Sequence, residues 1–167
     1  MKWTKRHRKA IIITAVLFAL IAGGAGVYLE WMFAPKTYIH IDQNQERVAN
    51  YVYRRESDRL GPCQRNMREL VERYADNDFS FELELGSPGG RIMTVLVTTY
   101  RVQYASGVVT VTEVPMGDGD EVEVFTQAVS GRDELLDVLP DQLTQLFKGF
   151  REETRSWFHE AEEAMRR

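Results

Sequence analysis

Reactive side chains are scarce in this sequence. Cys63 is the single cysteine among 167 residues, so no intrachain disulfide can form, and neither a zinc cluster nor a CxxC redox pair is available. It also stands too far from the apolar N-terminal stretch to be the acylated residue of a bacterial lipoprotein. Its expected role is that of a small, partly buried side chain, with a disulfide between two copies as the alternative in an oxidising compartment. Histidine is limited to His7, His40 and His159, and no two of them stand at ligand spacing. His159 has Glu163 one helical turn later, a pair that reads as surface decoration on a charged helix. Neither G-x-S-x-G nor H-E-x-x-H occurs.

Ligand signals in the loops are equally sparse. The run Gly86-Ser87-Pro88-Gly89-Gly90 joins two expected strands and lacks both Lys-Ser/Thr and a following helix, which excludes a phosphate loop. Asp118, Asp120 and Glu121 lack the periodic oxygen ligands of a calcium loop after Glu123. Removing the five positive charges of the first nine residues from the formal net charge of −4 leaves −9 on the remainder. An acidic domain without a basic stripe is a poor partner for nucleic acid, whose affinity rests on neutralising phosphates. No catalytic residue, cofactor or metal is expected, no nucleic acid is expected as a partner, and no internal repeat or low-complexity tract is present.

What the chain does have is an uncharged run of twenty residues, Ala10 to Leu29, preceded by Lys2, Lys5, Arg6, Arg8 and Lys9. As a helix it would span roughly 30 Å, the thickness of the hydrocarbon layer of a bilayer. Positive charge beside a first apolar segment is retained in the cytoplasm, whereas the other flank begins with Glu30. The expectation is a single-pass signal-anchor in the cytoplasmic (inner) membrane, N-terminus inside, with the lipid bilayer as its first partner and the C-terminal domain outside, in a bacterium the periplasm. Trp3 on one side, and Tyr28, Trp31, Phe33 and Tyr38 on the other, fit an aromatic belt. Ala15, Ala19 and Gly23 recur every four residues and are the candidate contact between two such helices. The rival is a cleaved signal peptide, with Ala22, Gly23, Gly24 and Ala25 offering small residues to a peptidase.

Beyond Pro35 the pattern divides the chain into a basic flank 1–9, an anchor 10–33, a membrane-proximal segment 34–41 and an extracytoplasmic domain 42–167. Asp42 and Gln45 have the form of a capping box, so a helix is expected from there to Gly61-Pro62, with Val48, Tyr51 and Val52 on its apolar face. A second helix starts on Pro62 and carries Met67, Leu70, Val71 and Tyr74. From Phe79 the period changes to two, with Phe79, Phe81, Leu83 and Leu85 alternating with polar residues. Further β-rich runs cover 91–104, 108–114 and 121–129, separated by Ser106-Gly107 and by 115–120. Ser130 and Asp133 open a helical region, and Pro140 falls in the first turn of the longest helix. Its stripe includes Phe147, Phe150, Trp157 and Phe158.

The expected fold class is therefore α+β: an N-terminal transmembrane helix, then two short helices, a four-stranded antiparallel meander and a long C-terminal helix. The expected function is that of a membrane-anchored, non-enzymatic accessory or interaction protein, recognising a protein partner or a second copy of itself within an envelope assembly. Phe147, Phe150, Trp157 and Phe158 are the candidate partner face. The alternative is a domain, anchored or secreted, that encloses a small apolar ligand against the same residues. A filled core with apolar surface left over separates the first from the second, which needs a cavity between sheet and helix.

Overall fold

A computed structural model of the chain describes residues 36–54, 60–88 and 95–167. The chain enters through β1 (Lys36–Gln43), which turns into β2 (Glu46–Arg54). Helix α1 (Gly61–Tyr74) follows, then β3 (Phe79–Pro88), β4 (Val95–Ala105), β5 (Val108–Val114) and β6 (Val122–Ala128). Helix α2 (Arg132–Arg166) completes the domain. The strands form one sheet in the order β2-β1-β3-β4-β5-β6, and every neighbouring pair is antiparallel.

The fold is α+β, but three parts of the expected arrangement are corrected. The sheet has six strands in place of a four-stranded meander, because residues 36–54 pair as a hairpin on the β3 edge. No helix starts at Asp42, and the described residues hold one short helix where two are expected. Asn44 and Gln45 take φ of 52° and 67°, the left-handed pair that closes a two-residue hairpin, and Asp42 spends its carboxylate on Arg47 across the turn at 3.1 and 3.2 Å. The residues after the turn also alternate: Ala49, Tyr51 and Tyr53 are half-buried while Asn50 and Val52 are exposed, a period of two that a helix could not satisfy. Third, no helix among the described residues is long and apolar enough to cross a membrane, so the structure supplies no transmembrane helix. The anchor read at 10–33, with Ala15, Ala19 and Gly23, lies outside the described residues.

Pro140 also departs from its expected place, since α2 starts eight residues earlier at Arg132 and runs through it. Proline has no N–H to give to the preceding turn. The start of the helix is held by Glu134, whose Oε2 accepts from the Ser130 backbone N–H at 2.7 Å and from its hydroxyl at 2.6 Å. These two bonds hold the Glu134 carboxyl below its ordinary range.

Both helices cover one face of the sheet. Ile39 and Ile41 of β1, Phe81, Leu83 and Leu85 of β3, Val102 of β4 and Val109 and Val111 of β5 are buried against them. From α1 come Met67, Leu70 and Val71, and from α2 come Leu135, Leu139, Leu143 and Phe147. The helices are antiparallel neighbours: Gln64 donates to Asp141 at 2.7 Å, and Arg68 lies 3.8 Å from Asp137 one turn along.

Candidate functional site

Strand register divides the domain into two unlike ends. Lys36 lies opposite Arg54, Tyr38 opposite Gly86, and Pro88 opposite Val95, so the start of β1 shares one end of the sheet with the ends of β2 and β3 and the start of β4. The end of β5 and the start of β6 point the same way but stop short of that end, Glu113 and Val122 being level with Tyr100, Leu83 and Ile41. This is the entry end, where the chain arrives from residue 35. Helix α2 begins at the opposite end, where Arg132 reaches Asp76 at 2.9 Å and Val129 N–H donates to the Gly107 carbonyl at 2.8 Å. By Arg151, whose guanidinium donates to the Arg54 carbonyl at 3.4 Å, it has traversed the sheet. At 1.5 Å per residue, the segment 152–166 then carries the helix roughly 22 Å past that point.

Apolar exposure is spread over the sheet and the last turns of α2. Among the described residues eight large apolar side chains are exposed. Val95 opens β4 and Val52 is third from the end of β2, both at the entry end; Met116 lies in the β5–β6 turn with 76% of its surface accessible; Val122 and Val124, on the opposite edge strand from Val52, are level with the middle of the sheet. Trp157 and Met165 belong to the projecting part of α2. Val108, at the start of β5, lies at the far end. A cleft of about 200 Å³ opens beside the entry end, lined by Leu60, Lys148, Arg151, Glu152 and Arg155. It is a cationic feature on an acidic domain, assembled from a helix start and one stripe of α2, at spacings of three and four residues.

The uncovered face of the sheet is polar. His40 Nδ1 stands 3.1 Å from Glu84 Oε1 on the neighbouring strand, and the imidazole stacks on Tyr38 with ring centroids 4.2 Å apart. Tyr38 in turn lies flat over Gly86, whose missing side chain makes room for the ring. Burial pushes the Tyr38 phenol upward, with the Glu84 carboxylate adding to the effect. Further along the face Arg101 donates to both oxygens of Glu121 at 2.6 and 2.8 Å and lies 3.8 Å from Glu82. These pairs neutralise one another on a partly wet surface and contribute little to stability individually. His40 and Glu84 are 44 residues apart, so neither could be matched to the other from spacing.

A second polar group is buried between β2 and the helices. Asn66 donates to the Tyr53 hydroxyl at 2.7 Å, and Tyr53 packs on Phe147 with centroids 5.0 Å apart. Cys63 is fully buried beside them, and burial pushes its thiol up to about 11 from 9.0 while hydrogen bonds with Tyr53 and Thr144 pull the other way. Such a thiol is neither nucleophilic at neutral pH nor within reach of a second chain.

The four residues read as a partner face separate into two groups. Phe147 and Phe150 are buried in the core cluster. Phe158 is buried apart from that cluster, and Trp157 beside it is exposed, the two rings meeting edge to face at 5.0 Å. His159 and Glu163 lie 3.5 Å apart and are both exposed. No group of three His, Cys, Asp or Glu side chains among the described residues converges as a metal site. No protein family, no curated protein and no solved structure matches this chain.

Proposed function

We propose that this chain is a membrane-attached, non-enzymatic interaction protein that holds an acidic α+β domain at the outer face of the cytoplasmic membrane. The observation that carries it is the apolar surface left exposed outside a filled core. The space between sheet and helices is filled by Phe81, Phe147, Met67, Leu70, Leu135 and Leu139, all fully or almost fully buried, while eight large apolar side chains remain exposed among the described residues. A domain that has closed its core and still exposes valines, methionines and a tryptophan has apolar surface to cover with a partner. The clefts at Leu60 and Lys148, at Arg68 and Asp141, and at Asp42 and Arg101 are surface grooves with charged walls, which gives no support to enclosure of an apolar ligand. Attachment rests on the sequence: five cations followed by twenty uncharged residues.

The test is purification of the full-length protein from detergent-solubilised membranes under conditions that preserve complexes. A partner recovered in fixed stoichiometry, lost in a Val52→Asp/Val95→Asp variant that still folds, is the expected result. Recovery of the bare monomer from native membranes at every detergent tested would overturn the interaction reading. Recovery of the intact chain in the soluble fraction would overturn the attachment.

A further inference from the structure

Strand register lays six side chains in one row across the uncovered face, from Arg47 of β2 through Asp42, Glu82, Arg101 and Thr112 to Glu123 of β6. The charges along it run plus, minus, minus, plus, neutral, minus. Set against itself in reverse, the row is its own complement: Arg47 meets Glu123, Glu82 meets Arg101, Asp42 meets Thr112, and no like charges coincide. Two rows nearer the entry end the same face turns apolar, with Val52, Tyr38, Gly86 and Val97 side by side on four strands and Val95 and Val114 next to them. Val52 and Val95 are 59% and 51% exposed, and both helices pack on the other face.

From this we infer that the uncovered face joins two copies of the chain, stacked sheet on sheet with their helices outward; the inference rests on the interaction reading above and names its partner. The two-fold axis runs parallel to the strands over the seam of β3 and β4, the middle of the order β2-β1-β3-β4-β5-β6. These two strands pair from Phe79↔Tyr104 to Pro88↔Val95, so the axis sets each outward β3 residue of one copy over its β4 mate in the other: Pro88 on Val95, Gly86 on Val97, Glu82 on Arg101. Val97 then meets the flat Tyr38 ring that lies over Gly86. An axis over β3 itself would stack Glu82 on Glu82 and Glu84 on Glu84, like-charge contacts that oppose association. The charge row thus fixes orientation, and the valines supply surface to remove from water. Every strand has at least seven residues. Six strands of that length, about 4.8 Å apart, offer roughly 650 Å² per copy, about 1,300 Å² in all, within the range of stable interfaces. Both chains enter this pair from the same end.

Buried Cys63 makes the test direct, because it leaves the folded protein without a competing reactive thiol. Val95→Cys and Gln103→Cys, exposed on the uncovered face of β4, and Glu69→Cys, exposed on α1, are introduced singly into the full-length chain. Cells expressing each variant are treated with a permeant bismaleimide that spans the ~10 Å between stacked sheets. Covalent homodimer is expected at positions 95 and 103 at about fivefold or more the yield at position 69. Glu82→Arg, a change at an exposed side chain that sets two cations across the axis, is expected to lower the yield at position 103 about fivefold. Equal yields at all three positions, or no homodimer at 95 and 103 in folded protein, overturn the pairing; a different partner recovered in fixed stoichiometry would then leave the interaction reading standing. Homodimer at position 69 alone puts the contact on the helices and also overturns it. A Glu82→Arg variant that crosslinks like its parent overturns the axis over the β3–β4 seam.

Discussion

At the scale of single residues, the contacts that matter most are those in which a small or neutral group makes room for a large one. Gly86 is the clearest. A Cβ there would overlap the Tyr38 ring, so Gly86→Ala forces the ring off the sheet and out of its stack on His40. The expected loss is about 1–3 kcal/mol in urea denaturation, the range for overpacking. In the Tyr38→Ala background the same glycine substitution should cost much less, and equal costs in both backgrounds would refute the contact. Cys63 gives a second prediction. Its thiol ionises near 9.0 when free and near 11 in the fold, so it favours the folded state below pH 9. That contribution is lost as pH climbs from 9 towards 11, because the unfolded chain then sheds a proton that the native state retains. Tyr100, raised by burial to about 12 from 10.0, acts in the same direction at higher pH. The urea midpoint should fall above pH 9, and Cys63→Ala should remove the earliest part of the fall. Native protein should meanwhile resist aromatic disulfide reagents at pH 8 and react once unfolded.

At the scale of elements, the hairpin β1–β2 shows how two local signals compete. Asp42 followed by Gln45 is an acceptable helix start, and Val48, Tyr51 and Val52 lie at helical spacing, so both cues point to a helix. The strand wins because Ala49, Tyr51 and Tyr53 alternate, and because β1 pairs with these residues from Lys36↔Arg54 to Gln43↔Glu46, passing over Val48 alone at a bulge. That preference resides in pairing 36–43 with 46–54 and with β3, and no window of a dozen residues contains it. The turn remains costly for its side chains. Gln45→Gly, at φ 67°, should stabilise the domain by about 0.5–1 kcal/mol, read as a shifted urea midpoint. By contrast the Phe79–Leu85 alternation, the Pro62 start of α1 and the three-and-four stripe of α2 could be read locally, since each element is amphipathic with the period of its own geometry.

For the molecule as a whole, α2 ties the layers together. Its first half closes the core, and Phe147→Ala should cost about 3–5 kcal/mol by leaving a cavity beneath Tyr53. A loss below about 1 kcal/mol would mean that the sheet and helices are not packed through this ring. Its last turns leave the sheet behind and bring Trp157 and Met165 to the end at which the chain enters. At this scale the attachment is also testable: alkaline carbonate should leave the full-length protein with the membrane pellet, and removal of residues 1–33 should release the domain to the supernatant. The reverse partition would exclude the attachment.

Charge and hydropathy along the chain determined by themselves that the N-terminal segment is a basic flank followed by an uncharged run, that the remainder is acidic, and that most amphipathic segments would form a layered α+β domain. These are properties of composition and period, which need no partner in space. Tertiary structure alone decided that residues 46–54 are a strand, that the sheet has six strands, and that Phe147 and Phe150 are interior while Trp157 is not. It alone brought together His40 with Glu84, and the cationic cleft of Leu60 with Lys148, Arg151 and Arg155. Contacts between distant segments depend on which strand pairs with which, a choice settled by the joint burial of all the faces at once and not by any one segment's pattern.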